Sequence, residues 1–117
     1  MINKRKHRRV PMAAVATVQY SDAGIMHSAE AAISSISLGG IGIYTDRVIE
    51  DICDVSIAIP FISIEGAMET IAVEGQVVYS RKMGSVIFIG IQFDDEIGDK
   101  NHQPLNEYIK RALRWNS

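Results

Sequence analysis

At 117 residues, with 47% hydrophobic and 22% charged side chains, the chain is sized and balanced for one folded domain with one core, which argues against disorder and against a two-lobed enzyme. No apolar run reaches the roughly 18 residues needed to cross a bilayer, and no signal-peptide block follows the basic start, so a soluble, cytoplasmic protein without membrane insertion is expected. The formal net charge is only −2, but it is unevenly distributed.

Residues 1–11 read as a basic arm. Lys4, Arg5, Lys6, Arg8 and Arg9 are five of the twelve basic residues, leaving seven basic against fourteen acidic residues, or −7, for the remainder. A positive arm on a negative body suits a local encounter with an anion while the body repels polyanions, so binding to a nucleic-acid polymer is disfavoured. The same run is compatible with a plain solvated tail.

Residues 12–117 read as a single all-β domain ending in a helix. From Pro11 to Phe93 apolar residues alternate with period two, and Gly, Pro, Asp or Ser breaks the pattern about every eight to twelve residues. Strands are predicted over Met12–Tyr20, Ile25–Ile33, Gly40–Tyr44, Asp54–Ile59, Glu69–Ser80 and Ser85–Phe93, enough for a small barrel. Val55, Ile57 and Ile59 should share an inward face, as should Ile71, Val73, Val77 and Tyr79, and Ile87, Ile89, Ile91 and Phe93. Turn chemistry at Asp22–Gly24 and Lys82–Gly84 predicts two hairpins. Beyond them Leu105, Tyr108, Ile109, Ala112 and Leu113 follow the spacing of an amphipathic helix, with Asp99 or Asn101 as its cap, Pro104 in its first turn, and Lys110, Arg111 and Arg114 near its negative end.

Catalytic chemistry is thinly represented, and no enzyme is expected. His7, His27 and His102 are widely separated and lack metal-ligand spacing, so no metal site is predicted. Asp94, Asp95 and Glu96 follow a strand, where adjacent side chains point to opposite faces, and read as a solvated loop. The single cysteine, Cys53, excludes an internal disulfide; flanked by Asp51 and Asp54, it reads as structural.

Two segments carry more information together than apart. Arg5-Lys6-His7-Arg8-Arg9-Val10 lies near the start, and Ser35-Ile36-Ser37-Leu38-Gly39-Gly40-Ile41-Gly42-Ile43 follows it. Alone, the glycine-rich stretch would read as a bulge or tight bend. Together they resemble the PilZ domain family, which pairs an Arg-x-x-x-Arg segment with an Asp/Asn-x-Ser-x-x-Gly turn. Arg5 and Arg9 match the first motif, and Ser37 and Gly40 the second. The strand Ile89-Gly90-Ile91-Gln92-Phe93 and the terminal helix extend the likeness over almost the whole chain.

The resemblance implies a six-stranded antiparallel PilZ-type β-barrel with a C-terminal α-helix, and a receptor for the bacterial second messenger cyclic di-GMP that uses no cofactor. Arginine suits that ligand, because its planar fork grips phosphate or the guanine edge and stacks on bases. Arg5 and Arg9 are the expected ligand residues, with Ser35, Ser37, Gly39 and Gly40 from the turn and Lys4, Lys6 and Arg8 as auxiliary charges. Ser35 departs from the family's Asp or Asn and offers a shorter, neutral side chain.

The expected mechanism is closure of the arm over the nucleotide, creating a surface read by a separate effector protein. A PilZ-fold interaction adaptor that does not bind the nucleotide, because of Ser35, is the alternative. A single-stranded nucleic-acid binder ranks last, since the strands lack a regular set of exposed aromatics. Homodimerisation stays open.

Overall fold

The computed structural model describes residues 7–49, 53–98 and 100–115. In chain order the elements are β1 (Val10–Pro11), β2 (Val15–Asp22), β3 (Ile25–Ile36), β4 (Gly40–Thr45), β5 (Asp54–Ile62), β6 (Met68–Met83), β7 (Val86–Phe93) and α1 (Gln103–Trp115). All pairings are antiparallel. The order β3-β2-β5-β6-β7-β4 closes because β4 also pairs with β3, giving a six-strand barrel. The short β1 is an additional strand beside the end of β3, with Val10 opposite Ile36 and Pro11 opposite Ser35, so residues read from sequence as the end of the arm already belong to the sheet.

The barrel closes over β-branched side chains that alternate inward, including Val18, Ile41, Ile43, Ile57, Ile59, Val77, Ile89 and Ile91. Helix α1 covers one opening. Leu105 and Ile109 are fully buried, Tyr108 packs its ring 5.9 Å from that of Phe61, and Arg111 Nη2 donates to the Ile62 carbonyl oxygen at 3.4 Å. Pro104 is the second helical residue, where its missing N–H costs little. The cap differs from expectation: Asn101 donates its side-chain amide to the Glu96 carbonyl at 3.0 Å, and the His102 carbonyl accepts the Asn106 N–H. Asp99 lies outside the described residues. Among the described residues no helix is long and apolar enough to cross a membrane.

The first hairpin turns through Ala23 and Gly24, both at positive φ, and the second through Gly84 and Ser85, one residue later than predicted. The predicted first strand is interrupted at Met12–Ala14. That interruption faces a β-bulge in β3, where Ile33 pairs with Ile43 and Ser35 with Gly42, leaving Ser34 without a partner on β4. A second bulge in β6 leaves Val78 unpaired between Val77, opposite Ile91, and Tyr79, opposite Gly90. An extra residue reverses the facing of everything beyond it. Tyr79, expected on the inward face with Val77, is therefore outward and 43% exposed, which corrects the sequence reading.

Candidate functional site on the outer face of the barrel

The two bulges build one surface. Ser35 on β3 stands opposite Gly42 on β4, Gly42 opposite Gly90 on β7, and Gly90 opposite Tyr79 on β6, forming a row across four strands. The inward residues of β3 before its bulge are Ala29, Ala31 and Ile33; without Ser34 as an extra residue Ser35 would follow them into the core. The middle of the row has no side chains of its own and is covered by its neighbours'. A side chain at Gly42 would meet Phe88 Cζ at 2.8 Å and Arg9 Nη1 at 3.4 Å, so the phenyl ring and the guanidinium both lean over this glycine.

Arg9 reaches the row from the arm, and its Nη1 donates to Ser35 Oγ at 3.3 Å. Arg8, one residue earlier, is exposed. Lys4, Arg5 and Lys6 lie outside the described residues, so only the second arginine of the Arg-x-x-x-Arg segment has a described position. His7 packs on the turn, its Cδ2 3.1 Å from where a Gly39 side chain would begin, and its Nε2 lies 2.9 Å from Glu96 Oε2. The acidic run after β7 is solvent-exposed as expected, but through Glu96 it also meets the arm.

Ser37 and Gly40 serve the turn between β3 and β4. Ser37 is buried, and its Oγ accepts the N–H groups of Gly39 and Gly40 at 3.2 Å each and donates to the Gly40 carbonyl at 3.4 Å. The Ser37 N–H also bonds to the Gly40 carbonyl at 2.8 Å. Gly40 lacks a side chain because β7 runs too close: a Cβ there would lie 2.5 Å from the Ile91 carbonyl oxygen. The turn is tied down further by the N–H of Phe93 to the Gly39 carbonyl and that of Ile97 to the Leu38 carbonyl.

Together these elements enclose an open groove of about 800 Å³, within the range of about 300–1,000 Å³ common for small-molecule sites. Arg9, His7 and the Ser37–Gly40 turn border one side, Tyr79 and Phe88 another, and Asp94 and Glu96 stand at its rim. It thus offers a guanidinium, an aromatic wall and a floor of backbone, tempered by two carboxylates. Gly42, Tyr79, Phe88 and Gly90 were missed as site residues from sequence. Gly42 had a readable signal, since it alternates with Gly40; Tyr79 had none, because the bulge that exposes it is defined only by the pairing with β7.

A closed antiparallel barrel with one helix, and with Arg9 lying over a glycine on its outer face, defines a small β-barrel domain. The PilZ domain family model matches residues 3–111, nearly the whole sequence, and the chain belongs to that family. No protein of curated function matches the sequence. Among solved structures the fold is similar to the Bacillus subtilis inhibitor of motility, MotI/DgrA, with TM-score 0.69 and 18% identity over 97% of this chain and 53% of that one. It is also similar to the PilZ domain of YcgR from Escherichia coli with c-di-GMP, with TM-score 0.63 and 15% identity over 97% of each chain. A third likeness is to the K. pneumonia MrkH–c-di-GMP complex, with TM-score 0.60 and 15% identity over 98% of this chain and 55% of that one. The chain spans about half the length of the Bacillus and Klebsiella proteins, and at these identities the likeness establishes the fold.

Proposed function

We propose that this PilZ domain is a cytoplasmic receptor for cyclic di-GMP. The observation that carries the reading is Arg9, hydrogen-bonded to Ser35 and lying beside Phe88 over Gly42, at the edge of a groove of about 800 Å³. A guanidinium beside a neutral hydroxyl keeps its positive charge, which favours an anion. Family membership and similar folds whose structures contain c-di-GMP support the choice of ligand. In this reading Arg5 joins Arg9 on the two phosphodiesters, with Lys4, Lys6 and Arg8 supplying further positive potential. Ser37, Gly39 and Gly40 act by shaping the rim. Closure of the arm over the nucleotide then makes a new surface that an effector protein reads, at an entropic cost that moderates affinity.

Calorimetric titration with cyclic di-GMP at physiological salt tests this. Saturable binding is expected, with Arg9→Ala weakening it by about ten- to a hundredfold, the worth of a charge-assisted hydrogen bond. No binding up to high micromolar ligand, or an Arg9→Ala variant of unchanged affinity, rejects the receptor.

Ser35 favours a second reading, an interaction adaptor on the same fold that does not bind the nucleotide, because a neutral hydroxyl stands at the family's Asp or Asn position. Ser35→Asp separates the two. A modest strengthening of existing binding supports the receptor, whereas binding gained from none supports the adaptor.

A further inference from the structure

The hairpin between β5 and β6 is tied down by a buried serine, yet it carries apolar side chains into solvent. Ser63 Oγ accepts the Ala67 N–H at 3.3 Å, the Ser63 N–H donates to the Ala67 carbonyl at 2.8 Å, and the Ser63 carbonyl accepts the Gly66 N–H at 2.9 Å. Gly66 closes the turn at φ 87°, so the backbone sets where Ile64 stands. Ile64 is 59% exposed, and Ile62 and Met68, directly paired across the two strands, are 52% and 70% exposed. Paired residues share one face of a sheet, so these two side chains stand together. Single exposed apolar residues need no explanation, but three on one short hairpin form a patch.

Beside its tip the hairpin meets the start of α1. Tyr108 against Phe61 and Arg111 on the Ile62 carbonyl hold the helix to β5, and a cleft of about 250 Å³ lies between Ile64 and Pro104. That is below the range of about 300–1,000 Å³ common for small-molecule sites, and it suits one long side chain. Glu65, Glu69 and Glu107 line it, and no Lys, Arg or His does. Gln103 Nε2 donates to Glu107 Oε1 at 3.1 Å and steadies that carboxylate. The positive end of the helix dipole amounts to about half a charge, so the three carboxylates set the sign of the cleft. Met68 opens the 16-residue β6 and Tyr79 lies near its far end, so this surface is remote along the strand from the groove that Arg9 borders.

We infer that the β5–β6 hairpin and the start of α1 form a docking surface for a basic, amphipathic segment of a partner protein. A lysine or arginine of that segment enters the cleft among Glu65, Glu69 and Glu107, and its apolar residues cover Ile62, Ile64 and Met68. Charge decides between occupants: the carboxylates repel a nucleic acid or an anionic lipid surface, and a symmetric contact with a second copy would set the same carboxylates against one another. The contact needs no nucleotide, so it stands whether or not the receptor reading holds.

The test follows the backbone and methyl resonances of the full chain during three titrations: a short peptide alternating leucine with lysine, its counterpart with glutamate for lysine, and phosphatidylglycerol vesicles. The lysine peptide is expected to move the signals of Ile62, Ile64, Met68 and Glu107 saturably, and the other two probes should not. Replacing Glu65, Glu69 and Glu107 together by Gln should weaken that binding about tenfold at low salt, and Ile64→Ser about fivefold. Glu30→Gln, an exposed carboxylate elsewhere on the barrel, should change it by less than about twofold. Five results overturn the proposal: no movement of these signals, movement spread evenly over the acidic body, equal binding of the glutamate peptide, vesicle binding through the hairpin, or dimerisation that Ile64→Ser abolishes. Should the triple variant fail to fold, Ile64→Ser and the location of the shifts in the unsubstituted chain decide.

Discussion

The Ser37–Gly40 turn and the row Ser35–Gly42–Gly90–Tyr79 lie side by side, yet they use small residues for opposite purposes. In the turn the hydroxyl and the missing side chain are consumed by the protein itself: Ser37 Oγ is engaged by Gly39 and Gly40, and Gly40 makes room for the Ile91 carbonyl. In the row, the missing side chains let Phe88, Arg9 and Tyr79 lie over the outer surface of the sheet, where they border the groove. One part of the motif is scaffold and the other is surface, so substitutions should separate stability from affinity.

The largest effect is expected at Gly40. Gly40→Ala puts a carbon 2.5 Å from a backbone oxygen that cannot turn aside, so β4 and β7 must part; a loss of about 3 kcal/mol in urea unfolding is expected, the upper range for overpacking. A wild-type unfolding midpoint would break the assignment of Gly40 to the scaffold. Ser37→Ala strips two N–H groups of their shared acceptor at a buried site and should cost about 1 to 2 kcal/mol. If the turn alone is affected, the affinity of the folded fraction should hardly change.

At Gly42 the balance reverses. Gly42→Ala meets the end of a phenyl ring, which can shift, so the unfolding midpoint should move by less than about 1 kcal/mol, while displacement of Arg9 lowers cyclic di-GMP affinity about tenfold. Equal losses in both measurements would dissolve the distinction between turn and row. Smallest is Glu96→Gln. The His7–Glu96 contact is partly exposed and should be worth less than about 1 kcal/mol, but removing a carboxylate from the rim should strengthen binding of a dianion a few-fold at low salt. Weaker binding in that variant would instead show that Glu96 holds the arm in place for the ligand.

Much of this architecture was legible in the residue pattern. The alternation of Val55, Ile57 and Ile59, and of Ile89, Ile91 and Phe93, marked inward faces that the barrel buries, and Leu105 and Ile109 marked the buried stripe of the helix. The site was legible in part. Arg9, Ser35 and the Ser37–Gly40 turn do come together, but Ser37 read as a group for the ligand while its hydroxyl bonds within the turn. That difference arises because a serine three residues before a glycine carries no sign of which N–H groups will point at it once the chain bends.

The amino-acid order by itself determined the strands, the two hairpins, the terminal helix and the family motif, because period-two and period-3.6 patterns and turn chemistry act over a few neighbouring residues. Only the tertiary structure decided that Ser34 and Val78 are the unpaired residues, that Ser35 and Tyr79 consequently face outward, and that Gly42 and Gly90 lie between them. Alternation assigns a face only while register is kept, and register belongs to pairs of strands: whether Tyr79 faces the core or the groove depends on its alignment with Gly90, which the local sequence around Tyr79 does not specify.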